Sequence, residues 1–143
     1  MQDHLGKFRP EALMVKEWDH WIVTVRTKQV TPGCLVVLPK RALTTFADVS
    51  AEEAVGLMQA IADVERWALS SEFLGADKIN VIAAMMKDPI VHFHIIPRFG
   101  EEVDRFGQAW VDADWPAVAT FRDVTTPEAL LQSIRDSVAE QLR

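Results

Sequence analysis

Two of the chain's four histidines, His92 and His94, stand two residues apart in the apolar run Ile90-Val91-His92-Phe93-His94-Ile95-Ile96, with Asp88-Pro89 before it and Pro97-Arg98-Phe99 after it. A neutral imidazole is a nucleophile or a metal ligand, and an imidazolium is a hydrogen-bond donor near physiological pH. Two of them side by side can attack phosphorus, bind an anion or hold a metal. The competing reading is a pair of hydrogen-bonded histidines on a half-exposed strand, because His-x-His alone is a pattern of low specificity. The single cysteine, Cys34, stands beside no obvious base and reads as a small buried apolar residue.

A strand must carry the histidines. The residues around them are β-branched or aromatic, and Pro89 and Pro97 bracket a run of strand length. Alternation then puts Asp88, Ile90, His92 and His94 on one face and Val91, Phe93 and Ile95 on the other, so one face is chemical and the other is core. A zinc site on Asp88, His92 and His94 would need a third ligand close to the two histidines. Asp88 is roughly 13 Å from His92 along an extended strand, so the three meet only if the preceding turn curls back. No catalytic metal and no cofactor is expected, and His4 and His20 have nothing in the sequence to bring them near.

The partners of that strand follow from the rest of the chain. Ala12 to Trp18 is a short candidate edge strand. Trp21-Ile22-Val23-Thr24-Val25 and Cys34-Leu35-Val36-Val37-Leu38 form a hairpin across the polar segment Arg26 to Thr31 and Pro32-Gly33. Lys78 to Met86 lacks polar alternation beyond Asn80, which predicts a strand buried on both faces and paired antiparallel with the histidine strand across Lys87-Asp88-Pro89.

Ser50-Ala51-Glu52-Glu53 has the form of a capping box and predicts a helix to about Phe73, stopping before Gly75. Its apolar stripe is Ala54, Leu57, Met58, Ile61, Val64 and Ala68, with Met58 and Trp67 as packing residues. Gly100 to Arg122, with Trp110 and Trp115, reads as a long irregular loop over the sheet. Thr125-Thr126-Pro127-Glu128 starts a second helix that buries Leu130, Leu131, Ile134, Val138 and Leu142. The order is an α+β pattern with a mainly antiparallel sheet, one long central helix and a C-terminal helix.

His92-Phe93-His94-Ile95-Ile96-Pro97-Arg98 resembles the last two histidines and the Pro-Arg exit of the histidine triad proteins, whose signature is His-φ-His-φ-His-φ-φ with φ apolar. Thr31-Pro32-Gly33-Cys34-Leu35-Val36-Val37-Leu38-Pro39-Lys40-Arg41 is similar to that family's Pro-Gly-His-φ-φ-φ-φ-Pro-Lys segment, and Phe46 to Glu53 resembles the stretch that commonly comes next in its members. The likeness covers roughly residues 20 to 99. Three positions depart from it: Ile90 replaces the first histidine, Cys34 replaces the histidine after Pro-Gly, and Met86-Lys87 stands where many members carry Gln and a hydroxyl residue.

The resemblance implies a HIT-like fold and a nucleotide hydrolase or transferase acting on the α-phosphorus of a dinucleoside polyphosphate or nucleoside phosphoramidate. His92 matches the residue that forms a nucleotidyl-histidine, which splits one hard displacement into two easier ones. His94 matches a donor to a non-bridging phosphate oxygen. Lys87 is a further phosphate contact or a solvated turn lysine. Arg98 is a phosphate contact or a surface ion pair, and Asn80 a pocket residue or a partner for a backbone group. Trp21, Ile22 and Leu38 are candidates for the apolar wall around base and ribose. The family's usual arrangement implies a homodimer, with Asp48 to Phe73 and the tryptophan-bearing loop as interface. The alternative on the same fold is a catalytically weak nucleotide-binding or regulatory module, which the three departures favour and the survival of both histidines opposes.

Length and composition frame these expectations. A chain of 143 residues, 49% hydrophobic and 25% charged, fits one soluble globular domain. The net charge of −6 argues against coating nucleic acid, whereas a small phosphorylated ligand needs only a local basic pocket. Met1 to Lys7 has no long apolar region and no run approaches bilayer length, so a cytoplasmic protein without membrane attachment is expected.

Overall fold

The β-branched residues of Trp21–Val25 (β2) and Leu35–Pro39 (β3) pair antiparallel in the expected hairpin, with Thr24 opposite Val36. The computed structural model describes residues 3–143; Met1 and Gln2 of the N-terminal stretch lie outside them. Met14–Glu17 (β1) forms the expected edge strand, entered through the short helix Pro10–Leu13 (α1). Lys78–Ile82 (β4) and Phe93–Arg98 (β5) complete an antiparallel sheet of order β1-β2-β3-β5-β4.

The long helix, Ala51–Leu69 (α2), begins at the capping box: Ser50 Oγ accepts from the Glu53 amide and Glu53 Oε1 accepts from the Ser50 amide. It ends four residues before the expected Phe73, because Ser70 leaves helical geometry and a turn leads to Gly75, whose φ of 69° favours glycine. Glu128–Gln141 (α3) is the second helix, and Leu131, Ile134, Val138 and Leu142 are buried as the periodicity predicts. Both helices pack on one face of the sheet, where Val64, Trp67, Ala68, Leu131, Ile134 and Val138 join Val23, Val37, Val91 and Ile95 in the main core.

Several expectations are corrected. The buried side of α2 runs through Glu53, Ala60, Val64, Trp67 and Ala68, so Ala54 and Met58 face outward while Trp67 packs as expected. Glu53 is tolerated inside because Arg41 grips both its carboxylate oxygens at 2.8 Å. The strand β4 is not buried on both faces: it stops at Ile82 and lies at the sheet edge, where Val81 is exposed. The histidine strand starts at Phe93 and includes Pro97, while the preceding segment is pinned by the Val91 amide bonding to the Leu43 carbonyl.

The region after Phe99 is not wholly irregular. Val103–Arg105 (β6) and Gln108–Trp110 (β7) make a small hairpin before the chain crosses the second face of the sheet. That face is closed by two segments absent from any periodic pattern. The 3-10 turn Asp3–Phe8 inserts Leu5 among Ile22, Val36, Leu38 and Ile90, and Ala119 covers Cys34 and Ile96.

Candidate active site

The sheet register lines up the site. Thr24 pairs with Val36, Val36 with His94, and His94 with Ile82, so His94 stands in the middle of a cross-strand row. His92 lies just before β5, one pleat away on the same face. The two rings are 5.0 Å apart between centroids and meet edge to face at 77°.

Each imidazole is held by one nitrogen. His92 is almost wholly buried, and its Nδ1 is 2.7 Å from the Ile90 carbonyl oxygen. A carbonyl only accepts, so Nδ1 carries a proton, and in the neutral ring Nε2 keeps its lone pair. His94 has the opposite arrangement: the Arg26 guanidinium Nε donates to its Nδ1 at 3.2 Å, which leaves the proton on Nε2. Burial, then the charge of Arg26 and the neighbouring His92, push the His94 pKa down to about 3 against a small opposing pull from Asp88. His94 is therefore neutral at physiological pH.

A cavity of about 440 Å³ opens onto both histidines. Lys7, Arg26, Lys28, Lys87 and Asp88 bring charge to its wall, and Phe8, Val36 and Phe121 supply apolar surface. Phe8 lies 5.7 Å from the His92 ring, and Phe121 lies 4.7 Å from the His94 ring and 4.9 Å from the Arg26 guanidinium. Lys7 is paired with Asp88 and Lys28 with Asp123, both at 2.8 Å, whereas Arg26 and Lys87 have no carboxylate partner among the described residues. A cavity with cations in excess suits an anion, in spite of the net negative chain.

Lys87 thus joins His92 and His94 at the cavity, and so does Asp88. Among the described residues, no three His, Cys, Asp or Glu side chains are grouped as metal ligands. Arg98 and Asn80 are not in the cavity wall. Arg98 is buried, its Nε and Nη2 bond to Asp112 at 2.7 and 3.0 Å, and its Nη1 bonds to Asn80 Oδ1 at 2.7 Å. Asn80 Oδ1 also accepts from the Ala119 amide. Arg98's part is thus neither a phosphate contact nor a surface ion pair: the three side chains clamp the loop that ends in Phe121 to the sheet. Asn80 does satisfy a backbone group.

Trp21 is also elsewhere, with its indole in the helix-side core donating to the Glu53 carbonyl, and Ile22 and Leu38 are sealed beneath Leu5. Cys34 is fully buried, which pushes its thiol pKa up and keeps it out of the chemistry. Ile90 fills the place of a first histidine with an apolar side chain packed against Leu5, Ile22 and Leu38, while its carbonyl faces His92.

Sequence reading missed Lys7, Phe8, Arg26, Lys28 and Phe121. For Arg26 a signal existed: continuing the alternation of β2 past Val25 places Arg26 on the face of Thr24, beside the histidines. Lys7, Phe8 and Phe121 come from segments without periodicity, so no local pattern could have brought them in.

Known proteins resemble this chain in sequence and in fold. The HIT domain model matches residues 8–101. The chain is 30% identical over 132 residues to Protein hit of Bacillus subtilis, covering 90% of this chain and 83% of that protein. A histidine triad protein from Bradyrhizobium japonicum superposes with a TM-score of 0.74 at 21% identity, covering 100% of this chain and 97% of that one. A Hit-like protein involved in cell-cycle regulation from Bartonella henselae, solved with an unknown ligand, has a TM-score of 0.67 at 20% identity, covering 94% and 91%. At those identities the two structures speak for the fold alone, and the chain, by its own matched residues, belongs to the histidine triad (HIT) family.

Proposed function

We propose that the chain is a nucleotide hydrolase or transferase that acts on the α-phosphorus of a nucleotidyl substrate through a nucleotidyl-histidine at His92. The observation that supports this reading best is the complementary state of the two histidines, a free lone pair on His92 Nε2 beside an N–H on His94 Nε2. The lone pair attacks phosphorus, the bond to the leaving group breaks, and its electron pair departs with that group. Water then attacks phosphorus, the P–N bond breaks with its electron pair returning to His92 Nε2, and the proton lost by the water passes to solvent, which restores His92. His94, with Lys87 on the same cavity wall, stabilises the charge that grows on the non-bridging oxygens.

The test is incubation with a set of nucleotidyl compounds, including an activated ester, followed by mass spectrometry of the denatured protein. One nucleotidyl group on the His92 peptide is expected, with none in a His92→Asn control. A second reading, the binding module with little turnover, is favoured by the apolar packing of Ile90 where the family carries its first histidine. Nucleotide binding with neither adduct nor turnover would establish it.

The protein is proposed to act as a homodimer. Val55 and Met58 on α2 are 61% and 62% exposed, and Val81 on the open edge of β4 is 42% exposed. A second copy laid on the outer face of α2 would cover these apolar groups, and one paired along β4 would cover an unpaired strand.

A further inference from the structure

Arg26 is buried, yet it has no carboxylate partner among the described residues. Its bonds go instead to a ring nitrogen and a carbonyl: Nε donates to His94 Nδ1 at 3.2 Å, and Nη1 donates to the Lys28 carbonyl oxygen at 2.5 Å. Phe121 lies against both the guanidinium and the imidazole, so the pair is held from the loop side as well as from the sheet. Keeping a cation inside the fold for a neutral acceptor costs desolvation that a surface arginine would avoid.

We propose that Arg26 is a positioning residue that locks His94 in the neutral Nε2–H tautomer and so presents the substrate with a fixed proton-bearing donor, not an acid that can lose its proton to the reaction. The tautomer follows from this geometry alone; its catalytic consequence rests on the nucleotidyl-transfer reading of the site.

Guanidinium offers N–H groups and no acceptor, so the His94 nitrogen facing it must hold a lone pair, and the ring's one proton sits on Nε2. Protonating Nδ1 would set N–H against N–H and two cations in contact, so imidazolium can form only after Arg26 has moved. The other titratable groups that share the cavity with His94 are His92, Lys7, Lys28, Lys87 and Asp88. Of these only Asp88 favours the imidazolium, and it is paired with Lys7. Lysine in place of Arg26 would offer a donor on a flexible stem; methionine would offer none.

The experiment is long-range proton–nitrogen NMR on the full-length protein labelled at histidine nitrogen, without ligand, from pH 5 to 8. Wild type should show His94 as the Nε2–H tautomer throughout, with no titration. In Arg26→Met the ring should populate both tautomers, and Arg26→Lys should restore the wild-type tautomer in part. A parallel readout is the rate of His92 adduct formation from an activated nucleotidyl ester, expected to fall at least tenfold in Arg26→Met with substrate affinity changed less.

Wild-type His94 found with its proton on Nδ1, or titrating as an ordinary histidine, would overturn the proposal. So would an Arg26→Met spectrum identical to wild type. If Arg26→Met does not fold, Arg26→Gln makes the same comparison, because a carboxamide can either donate to Nδ1 or accept from it. The NMR needs no substrate, so a wrong tautomer counts against Arg26 alone, whereas a correct tautomer without any adduct counts against the nucleotidyl reading alone.

Discussion

His92 Nδ1 lies 2.7 Å from the backbone carbonyl oxygen of Ile90, so the group that orients the candidate nucleophile belongs to the main chain and does not depend on the side chain at position 90. A histidine there is unnecessary for holding the His92 tautomer. What an isoleucine cannot give is proton transfer to a leaving group, an effect worth about 10²–10⁴-fold where it operates.

His92→Ala should therefore abolish turnover while nucleotide affinity stays close to wild type, because the nucleophile contributes chiefly to the transition state. Ile90→His should change kcat on phosphoramidate or polyphosphate substrates and leave a nucleotidyl ester with a good leaving group nearly unaffected. It should also lower the melting temperature, since the new imidazole enters the apolar cluster of Leu5, Ile22 and Leu38. Steady-state kinetics on the two substrate classes checks this; equal changes on both would separate position 90 from the leaving group.

Acid should destabilise the protein in two stages. His94 takes up a proton near 6.5 in the unfolded chain but only near about 3 in the fold, so the unfolded state binds more protons in between and stability falls as pH drops through that window. Glu53, held down to about 2 by Arg41 from an ordinary 4.5, contributes stability above 4.5 that is lost as pH falls toward 2. Urea midpoints at pH 7.5 and pH 5 should differ more in wild type than in His94→Gln. Equal differences would show that His94 is not a source of the first stage.

The Arg98–Asp112 pair should be the costliest ion pair to break, since the two side chains are only 3% and 2% exposed. Asp112→Ala leaves a buried guanidinium without its partner and should cost roughly 3–5 kcal/mol in chemical denaturation. The double change Arg98→Met, Asp112→Leu should recover much of that, because two apolar groups leave no charge stranded. In Asp112→Ala the loop should also release Phe121, read as loss of its ring-current effect on the His94 protons; an unchanged His94 spectrum would mean the loop is held by other contacts.

Association should depend on the outer face of α2. Met58→Glu puts a charge on that face without touching the core, so it should shift the mass from dimer to monomer with little change in the monomer's fold. Light scattering at micromolar concentration decides it: a wild-type monomer, or a Met58→Glu dimer, would rule this face out.

What the sequence determined by itself was local. The capping box at Ser50, the hairpin around Pro32-Gly33, the face shared by His92 and His94 and the buried stripe of α3 all rest on spacing within a few residues, where helix and strand periods act directly. The tertiary structure decided everything that required segments far apart to meet. Apolarity alone could not say that β4 lies at an edge, because an edge strand and a central one can share composition and differ only in what pairs beside them. Nor could it say that Arg98 would spend its donors on Asp112 and Asn80 while Arg26, 68 residues before His94, would set that ring's proton. A guanidinium's role is fixed by the acceptor it reaches, and the register of β2, β3 and β5 is what brings acceptor and donor together.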